Sequence, residues 1–204
     1  MHEAGTWIAH MANCKWQVDQ KEVIVCPPFT LLQTVKFFLT EHESGLKLGA
    51  QDLSPFPKGA YTGEIAGLQL KEFAQYVIIG HSERRKYFHE DDQMLANKVD
   101  MALEAGLHPI FCVQDVHTVI PKGVRIVAYE PVFAIGTGEP DSPENADDVA
   151  RKIKETVKAE AVLYGGSVSA ENVQAFTSME NLDGVLVGSA SLDPISFSSI
   201  VANA

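Results

Sequence analysis

Eight short runs rich in apolar and β-branched residues recur along the chain, and most are continuous rather than alternating. A continuous apolar run is typical of a strand covered on both faces, as in a parallel sheet. The runs are residues 7–12, 23–26, 46–50, 76–80, 109–113, 124–129, 161–164 and 185–187. They predict eight parallel strands, numbered one to eight in this subsection.

Helical signals lie between several of these runs. Ser142 and Pro143 have the pattern of an N-cap followed by proline at the first helical position, and apolar residues then recur at helical spacing. Further helices are predicted over residues 31–39 and 92–105, and from residues 169 and 193 onward. Alternating strands and helices predict an α/β fold, either a closed parallel barrel or an open doubly wound sheet.

Two connections are unusually short. Residues 13–22 and 114–123 separate the first two strands and the fifth and sixth strands. Because a parallel crossover usually takes about a dozen residues or more, the helices after strands one and five should be missing or minimal. No linker or low-complexity tract interrupts the chain, so one domain over residues 1–204 is expected.

Composition excludes several classes of partner. The formal net charge is -11, which disfavours nucleic acid and anionic membranes because both bind clustered lysine and arginine. The sequence lacks a signal-peptide pattern and an apolar stretch of membrane-spanning length, so a cytoplasmic location is expected. Cys14, Cys26 and Cys112 have no metal-binding spacing, and we expect reduced thiols and no metal.

A histidine and a glutamate each follow a predicted strand. His81 follows strand four and precedes Ser82 and Glu83, which could begin a helix whose positive end disfavours a charged imidazolium. Glu130 ends strand six and precedes an apolar loop, residues 131–138. An apolar loop closed over a carboxylate would exclude water and favour its action as a base. A structural histidine and a permanently packed loop are the alternatives.

Glycine-rich turns follow the last two strands, at residues 165–167 and 188–190. Backbone amides of such turns form phosphate sites in many barrels, although plain tight turns are the alternative. Asn13 and Lys15 follow strand one, which predicts an ammonium at the same edge unless Lys15 is an ordinary surface group.

Together these segments resemble the triosephosphate isomerase family. The resemblance includes Asn-x-Lys after strand one, Gly-His-Ser-Glu-Arg-Arg after strand four, Tyr-Glu-Pro-Val-x-Ala-Ile-Gly-Thr-Gly after strand six, Tyr-Gly-Gly-Ser-Val and the closing Val-Gly-Ser-Ala-Ser-Leu. Further matches begin at residues 26, 49 and 59, so the resemblance extends nearly end to end. It implies a TIM-type (β/α)8 barrel, with a shortened helix after strand six.

The resemblance also implies an activity and residue roles. The reaction would interconvert dihydroxyacetone phosphate and glyceraldehyde 3-phosphate through an enediolate, without a cofactor or metal. Glu130 would transfer the proton and His81 would polarise the carbonyl, a pairing known in the family. Lys15 would offset substrate charge, Asn13 would help to place the substrate, and Glu83 would orient Lys15 or relay protons. Phosphate contacts would come from Gly136, Ser167, Gly188 and Ser189.

The sequence departs from the family pattern at two loop positions and in length. Phe133 stands where tryptophan is usual, and Ser189 stands where a second glycine is usual. The alternatives are a catalytically impaired barrel that binds phosphosugars or a partner, and a different phosphosugar isomerase. The family further implies a homodimer or higher homo-oligomer through the loop 51–64, whose alternative is packing against its own barrel.

Overall fold

Seven parallel strands form one curled sheet in the computed structural model. The model describes residues 2–13, 21–42, 45–134 and 139–204. The strands are β1 (Ile24–Val25), β2 (Lys47–Ala50), β3 (Tyr76–Ile79), β4 (His108–Val113), β5 (Ile126–Tyr129), β6 (Ala161–Tyr164) and β7 (Gly184–Val185). They pair in chain order, each with the next. The sheet is a curled half-barrel, consistent with the predicted α/β fold of TIM-barrel type.

Helices cover the outer face of this sheet. They are α1 (His2–Asn13), α2 (Leu32–Glu41), α3 (Gly67–Leu70), α4 (Ser82–Tyr87), α5 (Asp92–Glu104), α6 (Pro143–Val157), α7 (Val173–Thr177) and α8 (Pro194–Asn203). Short 3-10 turns span Phe29–Leu31, Val132–Ala134 and Ser189–Ser191. The main core lies between these helices and the outward side chains of the strands, and a smaller apolar cluster fills the inner face.

The predicted helix starts are confirmed where side chains cap them. The Ser142 hydroxyl accepts a hydrogen bond from the Asn145 amide at 3.1 Å, and Pro143 is the first residue of α6. Asp91 and Asp193 cap α5 and α8 in the same way. Each cap satisfies a backbone donor that the first helical turn leaves unpaired.

The prediction of a strand at residues 7–12 is wrong. These residues belong to α1, where Ile8 and Met11 are buried and Ala9 is exposed. A spacing of three residues between buried positions is that of a helix, whereas a strand would bury alternate residues. The segment before β1 is therefore a helix, and the strand expected there is absent from the described residues.

Helix α1 packs against α2 and α8. In the middle of α1, the Trp7 indole donates to the Ser191 carbonyl at 2.8 Å, beyond the carboxyl end of β7. Near its end, Met11 packs with Val23 and Leu46, which precede β1 and β2.

The short connection between β4 and β5 has no helix, as predicted. Residues 114–125 form turns, and the Asp115 carboxylate accepts hydrogen bonds from the amides of His117 and Thr118 at 2.8 and 3.0 Å. Helix α6, which follows β5, has 15 residues. Its shortening relative to the family stays a prediction. Across the described part of the chain, no helix is both long enough and apolar enough to span a membrane.

Candidate active site

The Glu130 carboxylate is buried at the carboxyl end of β5. Its amide donates to the Val113 carbonyl at 2.8 Å, which extends the β4–β5 pairing by one residue. Side chains of a strand alternate between faces, and Ala128 belongs to the inner cluster, so Glu130 points to the same side. The residue is only 2% exposed. An acidic side chain is thus held among apolar residues, which is costly unless it has polar partners.

Three neighbours contact this carboxylate. The Ser82 amide donates to its Oε2 at 2.9 Å, and the His81 Nε2 lies 3.2 Å from its Oε1. The Cys112 side chain from β4 is near enough to lower the pKa of Glu130. Burial raises the pKa of Glu130, and the contacts with His81, Ser82 and Cys112 counteract that rise in part. The result is a carboxyl group that binds a proton more readily than an exposed one.

His81 links β3 to α4. Gly80 before it has φ of +78°, a backbone conformation in which glycine is not strained. The His81 Nδ1 accepts a hydrogen bond from the Glu83 amide at 3.3 Å and caps α4. A nitrogen that accepts this bond carries no proton, so the proton of a neutral ring lies on Nε2, facing Glu130. The Glu83 carboxylate lies 3.8 Å from Nδ1 and is mostly exposed.

The residues predicted to contact phosphate follow β6 and β7, at the same edge of the sheet. The Ser167 hydroxyl donates to the Ala134 carbonyl at 2.7 Å, which connects the turn after β6 to the segment after Glu130. Gly188 precedes the 3-10 turn that Ser189 begins, and a side chain at Gly188 would meet open space. Gly136 lies outside the described residues.

Asn13 is the last residue of α1, and its side chain lies outside the described part of the chain. His81 and Glu130 follow the carboxyl ends of β3 and β5. Lys15 lies outside the described residues. The roles predicted for Asn13 and Lys15 stay predictions, and the strand predicted to precede them is a helix.

Three residues of the site were not predicted from the sequence. Ser82 contributes its backbone amide and Cys112 contributes its thiol. Gly165 leaves room for the carboxylate, because a Cβ at this position would lie 3.0 Å from the Glu130 Cγ. The alternation of β4 could have identified Cys112, because it shares the inner face with Ile110. Among the described residues, no group of three histidine, cysteine or acidic side chains could hold a metal ion.

Parallel strands that present a buried carboxylate and an imidazole at their carboxyl ends define an enzyme of the α/β barrel class. Comparison with known proteins narrows this class. The triosephosphate isomerase family model matches residues 1–125 and 121–204. The chain therefore belongs to the triosephosphate isomerase family.

Individual relatives agree with this membership. The triosephosphate isomerase of Dictyoglomus thermophilum is 40% identical over 232 residues, covering 98% of this chain and 92% of that protein. The enzyme of Dehalococcoides mccartyi strain BAV1 is 40% identical over 233 residues, covering 100% of this chain and 91% of its own. The enzyme of Aquifex aeolicus is 39% identical over 214 residues, covering 90% of this chain and 86% of that protein.

Proposed function

We propose that this chain interconverts dihydroxyacetone phosphate and glyceraldehyde 3-phosphate. The observation that carries the proposal is the buried Glu130 carboxylate beside a ring nitrogen of His81, at the carboxyl edge of a parallel sheet. Membership of the triosephosphate isomerase family supports the same reaction. The reaction moves one proton between adjacent carbons of the substrate and needs a base close to both.

Glu130 is the proposed base. It removes a proton from the carbon next to the carbonyl group, which gives an enediolate, and returns the proton to the neighbouring carbon. The Nε2 proton of His81 donates a hydrogen bond to the substrate oxygen on which negative charge develops. The Ser82 amide lowers the pKa of Glu130, so loss of that hydrogen bond on substrate binding would strengthen the base.

The phosphate group is proposed to lie against the turns after β6 and β7, with contacts from Ser167, Gly188, Ser189 and Gly136. The position of Ser167, Gly188 and Ser189 beyond the strand carboxyl ends supports this site, because backbone amides of such turns can bind an anion. Asn13, Lys15 and Glu83 stay predicted participants. The proposal requires no metal or organic cofactor, and a cytoplasmic location stays a prediction from the sequence.

A second candidate function is a barrel that binds phosphosugars with little or no turnover. One observation favours it: in the part of the chain that the structure describes, Glu130 has an ion-pair contact with His81 and none with lysine or arginine. An enediolate formed without a nearby cation would be less stabilised, and isomerisation would be slower.

A coupled assay separates the two functions. Purified protein is mixed with glyceraldehyde 3-phosphate, and the ketone product is reduced by a coupling enzyme. The isomerase proposal expects turnover that falls by at least about 10³-fold in Glu130→Gln, because the variant has no base. Glu160→Gln is the matched control, since that side chain is exposed and pairs with Arg125 at the surface, and it should keep full activity.

Ligand binding gives the complementary result. A phosphate-bearing enediolate mimic should raise the melting temperature of the protein, because a ligand that binds only the folded state stabilises it. A cooperative fold that binds the mimic but has no wild-type turnover would favour the second candidate. Absence of both binding and turnover would contradict both functions.

A further inference from the structure

The guanidinium group of Arg85 joins the carboxyl ends of β3 and β4 beneath the candidate site. Its Nε donates to the Gly80 carbonyl at 2.9 Å, and its Nη2 donates to the Cys112 carbonyl at 3.2 Å. The side chain is 15% exposed and lies over the Phe111 ring. The planar guanidinium has several donors in fixed directions, so it can hold two acceptors at a set separation.

Both carbonyl groups lie close to Glu130 in the fold. One belongs to the residue before His81, and the other belongs to Cys112. Gly80 directly precedes His81, and Val113, the residue after Cys112, accepts a hydrogen bond from the Glu130 amide at 2.8 Å. A Cβ at Gly80 would lie 3.1 Å from the Arg85 Nη2, so the glycine allows the guanidinium to approach the backbone. Arg85 therefore fixes the separation between the segment that carries His81 and Ser82 and the strand that carries Cys112.

The positive charge of Arg85 and its hydrogen bonds affect different groups. Its positive charge partly offsets the rise that burial causes in the pKa of the Cys112 thiol. The main influences on the pKa of Glu130 are burial, His81, Ser82 and Cys112. Substitution of Arg85 should thus alter the placement of the groups around Glu130 much more than the ionisation of Glu130.

We propose that Arg85 is a positioning residue that sets the geometry of His81 and Ser82 relative to Glu130 for proton transfer. The inference rests on the isomerase activity proposed above. Arg85 does not contact substrate in this proposal, so its effect should be on the rate of the chemical step rather than on substrate affinity.

The test uses Arg85→Lys in the full chain. The lysine ammonium group keeps the positive charge but lacks the planar set of N–H donors that reaches both carbonyl groups. We expect kcat to fall about 10- to 100-fold, since small displacements of reacting groups have effects of this size. KM should stay within about twofold, and the pH of half-maximal kcat/KM on the acid side should not move.

Asp92→Asn is the matched control. The Asp92 carboxylate is 63% exposed and lies 3.3 Å from the Arg85 Nη1, so its loss leaves both carbonyl contacts in place. This variant should keep the wild-type kcat. If Arg85→Lys does not fold, Arg85→Gln, which has a single amide donor group, replaces it with the same expectation.

The outcomes separate this inference from the proposed function. Suppose that the wild-type protein is active. The positioning role would then be overturned if the folded Arg85 variant had an unchanged kcat, or if only its KM were raised. Absence of wild-type turnover would overturn the proposed activity instead. In that event, ¹⁵N NMR of the His81 ring still tests the positioning. The wild-type ring should carry its proton on Nε2, the variant should show a tautomer mixture, and identical spectra would overturn the inference.

Discussion

Glu130 has two opposing requirements at the residue scale. It is nearly fully buried, which raises its pKa and favours its protonated form, yet the base role proposed for it requires an ionised carboxylate at working pH. The contacts with His81 and Ser82 reconcile these requirements, because they favour the carboxylate without exposing it to water. A small change in these contacts would therefore alter both the stability and the basicity of the site.

The raised pKa predicts how stability depends on pH. Between the ordinary glutamate range and the raised value, the folded state binds more protons than the unfolded state, so the Glu130 contribution falls as pH rises. Glu130→Gln lacks this titration. We expect its free energy of unfolding to rise relative to wild type as pH increases above about 4, the ordinary glutamate range.

Urea unfolding at several pH values measures this difference. Other titrating groups cancel when the variant is compared with wild type, and the exposed Glu160→Gln supplies a baseline. A difference between Glu130→Gln and wild type that is constant or declines with pH would show that burial does not raise the pKa of Glu130.

At this scale, the sequence predicts residues whose side chains perform chemistry, but it misses those that act through the backbone. Glu130 and His81 could be identified because each follows an apolar run, where strand ends place side chains at one edge. Ser82 and Arg85 act through an amide and two carbonyl groups, and a sequence does not state which backbone groups lie near each other.

Among the elements, the strands and capped helices were largely predictable, whereas α1 was not. The run 161–164 agrees with β6 at both ends, and the Ser142–Pro143 pair marks the start of α6. The run 7–12 is short and apolar, and such a run does not distinguish a strand from a buried helix. Packing on α2 and α8, through contacts such as Trp7 with Phe197, favours the helix.

The helical conformation of α1 can be tested at Gly5. A side chain added there would meet open space, and alanine is more favourable than glycine within a helix. Gly5→Ala should raise the free energy of unfolding by about 0.5–1 kcal/mol, measured by urea unfolding. Gly63→Ala is the opposite control, since Gly63 is equally open but has φ of +92° and should lose stability. No gain for Gly5→Ala would count against a helix at residues 2–13.

At the scale of the whole molecule, we propose that the loop 51–64 joins two copies of the chain. Its base is fixed within the protomer, because Asp52 pairs with Lys98 and Arg84 at 2.5 and 2.8 Å. Further along, Phe56 and Tyr61 stack with ring centroids 4.4 Å apart and remain 42% and 41% exposed. Exposed aromatic rings on a fixed base are typical of an interface centre, so we expect a second copy to cover them.

Sedimentation of the purified chain tests this assembly. Wild type should sediment as a dimer or larger symmetric oligomer at micromolar concentration, and Tyr61→Asp should shift it towards monomer by placing an unpaired charge in the interface. Leu68→Asp is the control, because Leu68 is 63% exposed but lies outside the loop. A wild-type monomer would contradict the proposal, and so would an oligomer that Tyr61→Asp leaves intact. A shift with Leu68→Asp alone would place the interface on α3 instead.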